Sequence, residues 1–194
     1  MNLVLFGDSY TAGRIPHTGD DGALRDALGI AAYMDFSKSG STAQQWAGDL
    51  ECRLSNVVCS SANIAVGSLG GNDLFGILAD GNVNKLECII ASAALFYVLM
   101  RISDMKHIIL MLYPDPYQGK RQEAAPILQE FNKNILEVIT LVNQIQGNKV
   151  HVLDLSNVLK NEHFDGVDIH PNLGGYMEMS KAIIKKVNEL EGVL

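Results

Sequence analysis

The chain opens MNLVLFGDSYTAG, residues 1–13. Residues 3–6 are all apolar and stop at Gly7-Asp8-Ser9. A short, unbroken apolar run closed by glycine is the pattern of a strand buried on both faces. A strand of that kind belongs to a parallel sheet covered by helices on each side. The question it raises is why such a strand ends by presenting a serine between an aspartate and a tyrosine.

The same pattern recurs outward from this stretch. Residues 33–37, 62–66, 107–112 and 150–155 are further apolar strand candidates. Helical segments alternate with them. Residues 22–32 are rich in Ala and Leu, and 43–54 places Trp46, Leu50 and Leu54 on one face. Residues 84–103 predict a long helix. Residues 123–146 carry Ile127, Leu128, Phe131, Ile135, Val138, Ile139, Val142 and Ile145 on one stripe. Residues 172–190 predict a closing helix with Tyr176, Ile183, Ile184, Val187 and Leu190 facing inward. Strands alternating with helices give an α/β fold with right-handed crossovers. The expectation is a three-layer α/β/α, flavodoxin-like arrangement around a five-stranded parallel sheet. No linker or repeat divides residues 1–194, so a single domain is expected.

Composition narrows the function. The 194 residues carry a formal net charge of −7, and no basic cluster exceeds a pair such as Lys185-Lys186. That argues against a nucleic-acid partner. Cys52, Cys59 and Cys88 show no CxxC pair or metal-ligand spacing, which suits a reducing compartment and a cytoplasmic location. No basic region precedes the first apolar run, as a signal peptide would require. The longest apolar run, residues 88–100, is too short for a membrane span of about 20 residues. It reads as a helix buried on most sides or covered by a partner, so monomer and homodimer both stay open.

Ligands of open α/β sheets bind at the carboxyl ends of the strands. The polar, glycine-rich segments fall there: Gly7-Asp8-Ser9, Ser39-Gly40, Gly70-Gly71-Asn72-Asp73, and Asp168-Ile169-His170-Pro171-Asn172. In this order and spacing, the four segments resemble the SGNH hydrolases, also called the GDSL esterase/lipase family. The likeness runs over nearly the whole chain. It implies a serine esterase acting on a small-molecule ester through an acyl-enzyme. Ser9 matches the nucleophile and His170 the base. Gly40 and Asn72, with the backbone N–H of Ser9, match the oxyanion-hole donors.

One position departs from the family pattern. The acid usually stands three residues before the histidine, where this chain has Val167. Asp168 stands two before and is the nearer choice. Asp165, five before, is the alternative, and a dyad helped by a backbone carbonyl is a third. Asp8 and Asp73 read as scaffold carboxylates that accept backbone N–H bonds at tight turns. Asn172 also reads as a helix N-cap. Tyr10, Tyr113 and Tyr117 are candidate pocket walls, flanked by loops 13–22 and 114–125.

Other readings have less to carry them. Ser9 alone would be a helix cap. His163, Asp165, Asp168 and His170 do not have the spacing of a metal site, and no metal is expected. The absence of GxGxxG and of a P-loop argues against a nucleotide or flavin cofactor, and none is expected. The displaced acid leaves one rival class open, a binding module on the same fold with an impaired triad. Within the esterase class, short acyl groups are expected. Carbohydrate deacetylation, thioester or lysophospholipid hydrolysis, and general carboxylesterase activity stay undivided.

Overall fold

The computed structural model describes residues 2–49, 63–74, 85–114, 125–166 and 168–193. Strand β1 is Leu3–Gly7, and every residue in it is buried. β2 is Ala32–Asp35, β3 Ile64–Ser68, β4 His107–Leu112 and β5 Val150–Asp154. All pairings are parallel, in the order β2-β1-β3-β4-β5. The helices are α1 Ser9–Ala12, α2 Ala23–Leu28, α3 Ala43–Gly48, α4 Lys85–Arg101, α5 Ala125–Gln146 and α6 Leu173–Glu191. α4 packs between α3 and α5, and α6 packs on α2. This is the α/β architecture that the alternating pattern predicts.

The differences from expectation lie at element ends. The helix expected over 22–32 ends at Leu28, followed by a single 3-10 turn at Gly29–Ala31, so β2 starts one residue earlier than expected and stops at Asp35. β3 runs on through Gly67 and Ser68, because Gly7 of β1 pairs with Ser68. Periodicity cannot see that pairing. Of the α5 stripe, Ile127 to Val142 are buried, while Ile145 in the last turn is exposed. In α4, Cys88, Ala91, Leu95, Val98 and Leu99 enter the core, whereas Leu86, Ile89 and Tyr97 remain about half exposed. Trp46 is fully buried, and Leu50 and Leu54 lie outside the described residues.

The strand order reverses direction across β1 and β3, which opens a crevice at their carboxyl ends. Two glycines let the backbone close there. Gly7 has φ +119°, and a Cβ on it would lie 2.0 Å from the Ser68 carbonyl oxygen. Gly70 has φ +106°, and a Cβ there would lie 2.1 Å from the Phe131 ring. Both positions need the left-handed conformation and the missing side chain. Gly7→Ala is therefore expected to destabilise the fold by about 3 kcal/mol or more, from backbone strain plus overlap. Urea unfolding measures it, and a loss under about 1 kcal/mol would contradict the Gly7–Ser68 register.

Candidate active site

The site is built from the floor upward. Asp8 caps α1 through its carboxylate, which accepts from the Tyr10 backbone N–H at 3.2 Å. This cap leaves Ser9 as the first helical residue rather than the cap itself. The same carboxylate accepts from the Ser68 hydroxyl at 2.7 Å and from the Tyr113 hydroxyl. Tyr113 in turn accepts the Gly71 N–H at 2.9 Å. Ser68 spends its one proton on Asp8, so Thr11 donates to Ser68 Oγ across 2.8 Å. Thr11 Oγ1 also accepts the Ser68 N–H at 2.9 Å. The ends of β1, β3 and β4 are thus joined by one buried polar network.

Burial is the largest influence on Asp8 and pushes its carboxyl up to about 6, against the pull of its three donors. Tyr113, buried beside that carboxylate, is held well above its ordinary range. Asp73 accepts from the N–H groups of Ala43 and Gln44 at 2.7 and 3.3 Å, at the start of α3. Burial pushes its carboxyl up, and these donors only partly offset the rise. Both aspartates sit in the scaffold role expected of them.

Above the floor, Ser9 is 6% exposed, and its hydroxyl lies 2.8 Å from His170 Nε2. The opposite ring nitrogen, Nδ1, lies 2.5 Å from Asp168 Oδ1. That same oxygen accepts the His170 backbone N–H at 3.0 Å. With a carboxylate on Nδ1, the proton resides there and Nε2 is the acceptor for the serine hydroxyl. Burial raises the Asp168 carboxyl, but the backbone N–H and ring of His170 outweigh it and hold the group below its ordinary value. Asp168 therefore stays ionised through the neutral range. Asp165 lies elsewhere: its Oδ1 accepts from Asn172 Nδ2 at 3.1 Å, and its Oδ2 stands 3.9 Å from His17. Asn172 caps α6 by accepting the Gly175 N–H.

Asn72 donates from Nδ2 to the Ser41 carbonyl at 2.9 Å, which fixes its amide plane and leaves a second N–H on the same nitrogen. The Lys38 N–H donates to the Gly7 carbonyl at 2.8 Å, and the Ser41 hydroxyl, 2.7 Å from the Lys38 carbonyl, lies 3.0 Å from the Gly7 oxygen, so the turn carrying Gly40 is seated on the end of β1. Gly40 itself is exposed, with φ +78°. A small cleft is lined by Asp8, Ser9, Tyr10, Gly71, Asn72, Tyr113 and Ile169, and Gly40 stands outside that lining. Tyr10 and Tyr113 are in the wall as expected, while Tyr117 lies outside the described residues. Sequence reasoning missed Thr11 and Ser68. The only signal for them was two small hydroxyl residues near strand ends, and that signal is common.

Among the described residues no group of three or more His, Cys, Asp or Glu could hold a metal ion. No described helix is long and apolar enough to cross a membrane.

The sequence model of the GDSL-like Lipase/Acylhydrolase family matches residues 5–177, a span that contains all four polar segments. The chain belongs to that family and is a carboxylic ester hydrolase of the SGNH/GDSL type. No curated protein matches it by sequence. Solved structures share its fold. An acetylxylan esterase from Geobacillus stearothermophilus superposes with a TM-score of 0.70 at 15% identity, covering 96% of this chain and 93% of the other. A family 3 carbohydrate esterase from Clostridium thermocellum gives 0.69 at 18% identity, covering 100% and 98%. LAE5, an α/β hydrolase enzyme from the metagenome of Lake Arreo, gives 0.68 at 17%, covering 95% and 93%.

Tyr113→Phe removes a donor to Asp8 and the acceptor of the Gly71 N–H. The expected loss of stability is about 1–3 kcal/mol. Its pH dependence follows from the sign of the Asp8 shift. A carboxyl raised in the folded state adds stability at low pH that disappears as pH rises through about 6. Losing the Tyr113 donor raises that carboxyl further, so the variant should lose more stability at pH 8 than at pH 5. Urea unfolding at the two pH values tests this, and equal losses would contradict the network.

Proposed function

We propose that the chain hydrolyses carboxylic esters of short acyl groups through an acyl-enzyme on Ser9, with His170 as base and Asp168 as the acid that orients it. The observation that carries this reading is the continuous path from Ser9 Oγ to His170 Nε2, and from His170 Nδ1 to Asp168 Oδ1, at 2.8 and 2.5 Å. A serine hydroxyl attacks an ester only as a base takes its proton, and this path supplies the base. Ser9 Oγ adds to the substrate carbonyl carbon while its proton passes to His170 Nε2. The resulting oxyanion is held by the N–H groups of Ser9, Gly40 and Asn72 Nδ2. Collapse breaks the ester C–O bond, and His170 returns the proton to the departing alcohol. Water then adds to the acyl carbon, giving its proton to His170, and the carboxylic acid leaves as Ser9 is reprotonated. Asp168, held ionised, stabilises the imidazolium formed in each half-reaction.

The shorter spacing of the acid does not separate it from the base. Asp168 reaches His170 Nδ1, which supports an active hydrolase over an impaired binding module. The acyl preference rests on the cleft. Among the described residues the walls Tyr10, Tyr113 and Ile169 close in around Ser9, which favours a short acyl group over a long chain. Acetylated saccharides are the natural esters to assay first, because the structures of like fold include an acetylxylan esterase. We propose further that residues 1–194 work as a single domain.

Ser9→Ala is expected to abolish both p-nitrophenyl acetate hydrolysis and labelling by a fluorophosphonate probe. Asp168→Asn should lower kcat by about 10³–10⁴-fold, by analogy with other serine triads, and Asp165→Asn by less than about tenfold. The reverse order would transfer the acid role to Asp165. On p-nitrophenyl esters from C2 to C12 the rate should peak at C2–C4, and a maximum at C10 or longer would overturn the short-acyl reading.

A further inference from the structure

We infer that Tyr10 is a positioning residue that sets the distance between Ser9 and His170. The inference rests on the proposed roles of those two residues. Tyr10 follows Ser9 directly, and its hydroxyl donates to the Ile169 carbonyl at 2.5 Å, across 159 residues of sequence. Ile169 directly precedes His170. The four residues therefore form a closed path: Ser9 bonded to Tyr10, Tyr10 hydrogen-bonded to Ile169, Ile169 bonded to His170, and His170 hydrogen-bonded to Ser9.

The need for such a link comes from the spacing of the acid. With one residue between them, Asp168 takes both the backbone N–H and the ring Nδ1 of His170 on a single oxygen. That makes a tight local turn and aims the ring within its own loop. A local turn cannot place the loop relative to the end of β1. The outer end of the loop is held elsewhere, through Asn172 to Asp165 and to the Glu162 carbonyl. Tyr10 reaches the inner end. Its own position is secure, because Asp8 accepts its backbone N–H and its buried ring packs edge-on against Tyr113 at 5.4 Å. The ring also lies 5.8 Å from the His170 imidazole. A rigid aromatic ring with a hydroxyl at its tip is a spacer of fixed length between nucleophile and base. This role goes beyond that of a pocket wall.

Tyr10→Phe keeps the ring and removes only the hydroxyl. Four readouts test it: kcat and KM on p-nitrophenyl acetate, the second-order rate of phosphonylation of Ser9, the Tm, and the downfield proton resonance of His170 Nδ1–H. Kcat and the phosphonylation rate should fall together by about 10–100-fold, the scale of a misplaced reacting group, with KM within about twofold. The Tm should stay within about 3 °C of the parent, and the downfield resonance should persist, because the Asp168 contact is local. A kcat and phosphonylation rate within about twofold of the parent would overturn the inference. So would a Tm loss beyond about 10 °C, or loss of the resonance, since either marks Tyr10 as structural support. Ser9→Ala separates the two levels of argument. If that variant still hydrolyses the ester, the triad reading itself fails. If it is inactive while Tyr10→Phe matches the parent, only the role of Tyr10 fails.

Discussion

Asp8 is 1% exposed, and its carboxylate lies directly beneath the turn that carries Ser9. It accepts from its own turn at Tyr10, from the end of β3 at Ser68, and from the end of β4 at Tyr113. A carboxylate in that position is costly unless its lone pairs are filled. Each donor is therefore held where the carboxylate can reach it. Gly7 must give up its side chain so that β1 and β3 can close to that distance. The Tyr113 hydroxyl passes the constraint on to Gly71, next to Asn72. The turn that carries Ser9 and the turn that carries Asn72 are thus positioned by one carboxylate.

The fourth segment arrives by a separate route. Residues 155–172 leave β5 through short 3-10 turns, and Phe164 and Pro171 form an isolated antiparallel bridge that closes the loop on itself. Inside it, Asp168 and His170 are joined by two local contacts. The scaffold brings two turns together, the one at Ser9 and the one at His170. Their meeting is a matter of tertiary distance, to which Tyr10 and the packing of α6 on α2 both contribute.

Much of this was legible in the amino-acid sequence. Unbroken apolar runs mark β1 and β4 because parallel strands are covered on both faces. The stripe from Ile127 to Val142 marks α5, since its apolar residues recur with the helical period. The four polar segments and their order lead to Ser9, Gly40, Asn72 and His170 as candidates. The boundaries were less legible. β3 continues through Gly67 and Ser68 because of a partner strand, a cause that is not local, and Ile145 is exposed although it shares the apolar stripe of α5.

By itself, then, the sequence determined the layer architecture, the sheet edge at which the polar segments gather and the candidate residues there, because these depend on periodicity and on residue chemistry. Only the tertiary structure decided which aspartate faces His170. Asp168 and Asp165 are chemically identical, and the choice between them is made by the tight turn that delivers one to Nδ1 and by the Asn172 amide that engages the other. The same holds for Ser68, Thr11, Tyr113 and Tyr10. Their contacts join residues 57 to 159 positions apart, and a hydrogen bond between distant segments leaves no periodic trace in the chain.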